Sequence, residues 1–135
     1  MGRSRRGRAR ARVRVNEGWA LRRGQIVLVS LDPAVGSEAR KTRPAVIVTN
    51  NTANAVAGRS IRATITVVPL TSNTDRILPF QVLLSAEATG LDRDAKAQAE
   101  QVRTIAVERV VRPVGGVPAE LMGALDEALR VHLAL

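Results

Sequence analysis

The chain has 135 residues, enough for one domain with a core, and contains no cysteine and a single histidine, His132, which excludes disulfide scaffolds, thiolate metal sites, cysteine nucleophiles and paired-histidine chemistry. Trp19 and Phe80 are its only rings, which excludes an aromatic base-stacking platform. The net charge is +9, but residues 1–23 hold nine arginines against Glu17 alone, a net +8, so the body is close to neutral and locally placed cations must carry any specific recognition.

Residues 1–20 alternate arginine with small residues and show no period, which predicts a disordered Arg-rich N-terminal extension before a folded domain over residues 21–135. Nothing approaches the roughly 18 continuous apolar residues of a membrane helix. The arginine run has no apolar segment behind it either, and a soluble cytoplasmic protein is expected.

QIVLVSL (residues 25–31) reads as a first strand, β-branched and bounded by Gly24 and Pro33. PAVIVTN (residues 44–50) is a second, continuously apolar and therefore central. Asn50, Asn51, Asn54 and Gly58 mark a polar connection. RATITVVPLT (residues 62–71) alternates Ala63, Ile65 and Val67 against Thr64 and Thr66, a third strand with one buried face. LPFQVLL (residues 78–84) is a fourth. Residues 89–92 turn the chain, and one extended segment carrying EQVRT is expected over residues 95–105. VERVVRPV reads as a short helical turn and an edge strand, its pairing limited by Pro113. Last comes a helix begun by Pro118 and Glu120, with Leu121, Leu125, Leu129 and Leu133 recurring four apart and Met122, Ala128 and His132 widening the stripe. So broad an apolar face packs on the sheet and on something else, such as a second subunit. Short strands with one terminal helix give a mainly β, α+β fold, a small and strongly bent antiparallel barrel.

Polar clusters sit at strand ends. In GSEARKTR, Gly36 permits a tight turn, Glu38 accepts hydrogen bonds, Arg40 and Lys41 add charge, and Pro44 fixes Arg43 at the strand entrance. Arg43 carries a planar fork of donors suited to a phosphodiester and to the added negative charge of its transition state; a surface charge is the plainer reading. Thr71, Ser72 and Asn73 are turn chemistry, or a hydroxyl that donates to a phosphate oxygen. Asp92 and Asp94 resemble a metal pair without further ligands and are read as a turn. His132 is read as an interface or surface residue.

The ordered set RRGQIVLVSLDPAVGSEARKTRPAVIVTNN, VVPLTSN, EQVRTI and the Leu-rich terminal helix resembles the MazF/PemK/Kid family of toxin endoribonucleases, from about Arg22 to Leu135. The resemblance implies an SH3-like barrel of the MazF/PemK/CcdB type. It also implies a homodimeric, metal-independent ribonuclease without cofactors, cleaving single-stranded RNA at short sequences by ribose 2′-OH attack to leave a 2′,3′-cyclic phosphate. It places the catalytic pair on Arg43 and Thr71, and the RNA groove on Glu38, Asn50, Ser72, Asn73 and Gln101, with Arg40 and Lys41 as steering charges. Arginine is hard to deprotonate, so Arg43 is assigned mainly to charge stabilisation, with acid catalysis as a secondary role, and the general base is left open. The implied partner is an antitoxin whose acidic, disordered C-terminal segment covers the groove. Ala39 and Ala106 stand where the family has polar residues, which points to an altered cleavage sequence. Two alternatives are a gyrase poison of the CcdB type, whose Trp-Gly-Ile ending this chain lacks, and a non-catalytic barrel that holds RNA or an acidic peptide.

Overall fold

The computed structural model describes residues 20–31, 41–60 and 62–135. The elements are β1 (Gln25–Val29), β2 (Arg43–Ile47), α1 (Asn51–Ala57), β3 (Thr64–Thr71), β4 (Gln81–Leu84), α2 (Ala86–Thr89), β5 (Ala95–Gln98), β6 (Arg103–Ala106), β7 (Val110–Gly116) and α3 (Ala119–Leu133). The expected extension falls almost wholly outside the described residues, as do Glu38, Ala39 and Arg40.

All seven strands join one antiparallel sheet in the order β4-β5-β3-β2-β1-β7, with β6 added on β3. The bent antiparallel sheet and terminal helix are those expected from the sequence. "Barrel" describes it loosely, because among the described strands the hydrogen-bonded path does not close: β4 pairs only with β5, and β7 only with β1.

The continuous apolar runs have a physical reason in two cores, one on each face. Because successive strand residues point to opposite faces, Val27, Ala45, Ile47 and Val67 enter one core with Ile65 and Ile105. Their neighbours Ile26, Val46 and Val68 enter the other, under Met122, Leu125 and Ala128 of α3. Burying each such Ile, Val or Leu contributes roughly 1.5–3 kcal/mol, so β1, β2 and β3 are held from both sides. Alternation survives where only one face is covered, at Thr64 to Val67 at the start of β3.

Two segments depart from the expectations. The polar connection after β2 is a capped helix. Asn50 Oδ1 accepts the Ala53 N–H at 2.8 Å, Asn54 is buried and donates from Nδ2 to the Thr49 carbonyl at 2.7 Å, and Ala57 reaches the core. The single extended segment is two strands, β5 and β6, broken by a 3₁₀ turn at Ala99–Gln101. Both follow the same edge of β3, β5 at Leu70 and Thr71 and β6 at Thr64 to Val67. The break carries the chain from one core, which takes Ala97 and Ala99, to the other, which takes Ile105.

Arg23, near the start of the expected domain, is tied into the fold. Its Nε donates to the Val48 carbonyl at 2.9 Å, its guanidinium pairs with Asp126 of α3, and its N–H donates to Asn51 Oδ1 at 2.8 Å. Gly24 turns the chain into β1 at φ +92°, where a side chain is strained. At the sheet's other end Arg109 Nη1 donates to the Ser30 carbonyl at 2.8 Å, fixing the end of β1. The α3 stripe outruns the sheet: Leu125 is fully buried, whereas Leu133 at the helix end is 49% exposed, beside Val131 at 50% and the terminal Leu135 at 85%. His132 is exposed, its ring centroid 6.4 Å from that of Phe80.

Candidate functional site

The register of β2 on β3 decides what meets at the sheet's upper end. Ala45 pairs with Pro69 and Val46 with Val68. The β2–β3 ladder ends at Ala45 and Pro69; two residues further along, Arg43 pairs with Val29 of β1 and Thr71 with Lys96 of β5, and both line the same groove. The two residues singled out from clusters 28 positions apart in the chain thus line one groove.

Both stand at strand ends, where the cores stop. Arg43 is exposed and Thr71 half-buried. Thr71 Oγ1 accepts the Asn73 N–H at 3.3 Å, so one lone pair is used in the turn and the hydroxyl proton is left to donate outward. Asn73 Oδ1 accepts the Asp75 N–H at 3.2 Å, which commits its carbonyl oxygen to the same turn.

The pair opens into a groove of about 740 Å³. Its apolar floor includes Leu28, Pro44, Leu70, Leu91 and Val114, and among the described residues its charged lining is Lys41, Arg43, Arg93 and Arg112 against one carboxylate, Asp92. Four cations to one anion among the described residues, on a nearly neutral body, make this a local positive field of the kind that attracts phosphodiesters. Lys41 and Ser72, both expected at an RNA groove, are among the residues that line this one.

Other expected residues lie elsewhere. Asn50 is at the opposite end of β2 from Arg43, its side chain engaged as the cap of α1. Gln101 is exposed in the 3₁₀ turn, on the edge of β3 away from β2, and Asn73 is exposed outside the groove lining. Glu38 and Arg40 lie outside the described residues. Asn50→Ala is therefore expected to lower stability by about 1 kcal/mol while Asn50→Asp keeps the cap, read from the denaturation midpoint. A loss of RNA affinity in both variants at unchanged midpoint would restore the groove role.

Sequence reasoning missed Arg93 and Arg112. Arg93 lies between the two aspartates read as a turn, of which Asp94 accepts the N–H of Ala86, the first residue of α2, on Oδ1 at 2.8 Å. Arg112 reaches the groove only because β7 lies beside β1, where it pairs with Leu28. No local signal announces that pairing. Among the described residues no three His, Asp or Glu side chains are grouped as a metal site needs.

A family model described as "PemK-like, MazF-like toxin of type II toxin-antitoxin system" matches residues 22–133. Endoribonuclease MazF9 of Mycobacterium tuberculosis is 60% identical over 115 residues, covering 85% of this chain and 98% of that protein. Among solved structures, the M. tuberculosis toxin MazF-mt6 superposes with a TM-score of 0.66 at 28% identity, over 82% of this chain and 97% of the other. A mycobacterial endoribonuclease in complex with its cognate antitoxin gives 0.67 at 23% identity, over 86% and 97%, a likeness of fold.

Proposed function

The chain belongs to the PemK-like, MazF-like toxin family and is a toxin endoribonuclease; from that premise we propose that it cuts single-stranded RNA at a short sequence motif, without a metal, through the ribose 2′-OH. The observation that carries this reading is the juxtaposition of Arg43 and Thr71 at the mouth of a cationic groove.

The 2′-oxygen attacks the adjacent phosphorus in line, the bond from phosphorus to the 5′-oxygen breaks, and a 2′,3′-cyclic phosphate and a 5′-hydroxyl result. No protein nucleophile is needed. Negative charge grows on the non-bridging oxygens as the fifth bond forms, and the Arg43 fork meets it with two parallel charged hydrogen bonds. The Thr71 hydroxyl donates a third. The 2′-hydroxyl gives its proton to solvent and the departing 5′-oxygen takes one from solvent, so the step balances while Arg43 keeps its own proton and its charge. Lys41 raises the local concentration of RNA rather than touching the reacting atoms.

Two partners complete the reading. A second copy of the chain covers the apolar residues at and just after the end of α3, Val131, Leu133 and Leu135. An antitoxin with an acidic, disordered segment competes with RNA for the same cations, a reading supported by the likeness to an endoribonuclease solved with its cognate antitoxin. Among the described residues no helix is long and apolar enough to cross a membrane.

The test is digestion of a long RNA in EDTA with every new end mapped. Cuts recurring at one short sequence and bearing 5′-hydroxyls are expected. Cleavage that appears only on addition of a divalent metal, or 5′-phosphate ends, would overturn the mechanism.

A further inference from the structure

The groove extends two strands beyond the residues that cut. Leu28 of β1 pairs with Pro44 on one side and with Arg112 of β7 on the other, so Arg112, Leu28 and Pro44 form one row across three strands. Two strand spacings put the Arg112 backbone roughly 10 Å from that of Pro44, the residue next to Arg43. Arg112 lines the same cavity as Arg43 and Thr71, across a floor of Leu28, Pro44 and Leu70.

The edge strand is shaped around this residue. The register of β7 on β1 shifts between Ile26 and Val27 and again between Leu28 and Val29, so Arg112 and Pro113 sit between two irregularities. Bulges twist an edge strand and re-aim its side chains, and they gather beside functional sites. Pro113 removes a backbone donor, which makes this edge a poor template for an added peptide strand. What it offers is the guanidinium: Arg112 is exposed, and among the described residues its side chain makes no hydrogen bond or ion pair that the fold would use.

We propose that Arg112 is a substrate-positioning residue that grips a phosphate flanking the scissile one, so that the RNA strand runs from the Arg43–Thr71 pair across β1 to the β7 edge. The apolar floor receives base faces, and the rim cations take successive phosphates. This rests on the endoribonuclease reading and adds to it a direction for the substrate.

The test uses a single-stranded RNA oligonucleotide carrying the mapped motif, with a 2′-deoxynucleotide at the cut, titrated against the full chain over a range of salt. Arg112→Gln is compared with wild type and with Arg59→Gln, which follows α1 at the sheet's other end. Arg112→Gln is expected to weaken binding roughly tenfold at low salt. The slope of log K against log salt should fall by about 0.7, the value for one phosphate contact on a single strand. On the all-ribose oligonucleotide it should raise KM and leave kcat nearly unchanged, with Arg59→Gln like wild type throughout. An unchanged slope and KM, an equal fall in kcat and kcat/KM, or weakened binding of an acidic peptide with RNA binding intact would each overturn the proposal. Wild-type protein that neither binds nor cuts RNA would instead fail the endoribonuclease reading itself.

Discussion

Replacing Arg43 by alanine is expected to slow RNA cleavage by about 10²–10³-fold, the usual cost of removing one preorganised donor from a developing oxyanion. The melting temperature should stay within a few degrees of wild type. Both follow from position: Arg43 is the first residue of β2 and exposed, so the core loses nothing, yet it lines one groove with Thr71. Arg43→Lys keeps the charge and loses the planar fork, and should fall between the two. Thr71 gives an independent check. Thr71→Val keeps the shape and removes the hydroxyl, and should lose roughly tenfold to a hundredfold, the value of a hydrogen bond to a charged group. Thr71→Ser retains both the donor and the acceptor for the Asn73 N–H and should keep most activity. Full activity in Arg43→Ala and Thr71→Val together would remove the site from this groove.

The second large effect is on stability. Leu125 sits fully buried in the middle of α3, in the core it shares with Ile26, Val46 and Val68. Leu125→Ala is expected to destabilise by about 2–5 kcal/mol, because the strands beneath cannot collapse into the space left. For a domain of this size, at about 3–5 °C per kcal/mol, that lowers the melting temperature by roughly 6–25 °C. The exposed end of the same stripe should behave differently. Leu133→Ala should change monomer stability little, and any large effect there should depend on protein concentration, since only a second copy covers Leu133 in the proposed dimer. A Leu125→Ala variant as stable as wild type would mean that the helix layer does not hold the sheet.

The helix and the first four strands were legible because their apolar spacing reports burial directly. The run from Ala45 to Ile47 has every residue buried, and only a strand covered on both faces permits that. Leu121, Leu125 and Leu129 likewise mark the side of α3 that meets the sheet. The capped helix after β2 was hidden because asparagine is both a turn former and a helix cap, and a seven-residue helix is too short to show a period. The break between β5 and β6 was hidden because Ala97, Ala99 and Ile105 are all apolar, and which core each enters depends on β3.

The site divides in the same way. Arg43 stood out because Pro44 marks the strand entrance, and Thr71 because a hydroxyl run closes an apolar strand. Their meeting is a matter of register, which neither cluster encodes alone. Asn50 and Gln101 resembled groove residues by motif, and they sit away from the groove because β2 and the 3₁₀ turn carry them elsewhere. Arg93 and Arg112 had no motif, and it is the side-by-side placement of β7 and β1 that brings Arg112 into the groove.

The claim on which the rest depends is that the reaction uses the RNA's own hydroxyl, with Arg43 and Thr71 only steadying the charge. It is tested most directly by an oligoribonucleotide carrying the mapped motif, with a single 2′-deoxynucleotide on the 5′ side of the scissile phosphate. Binding within about twofold of the all-ribose strand is expected, with no cleavage at that bond. Cleavage there at the all-ribose rate would contradict the claim.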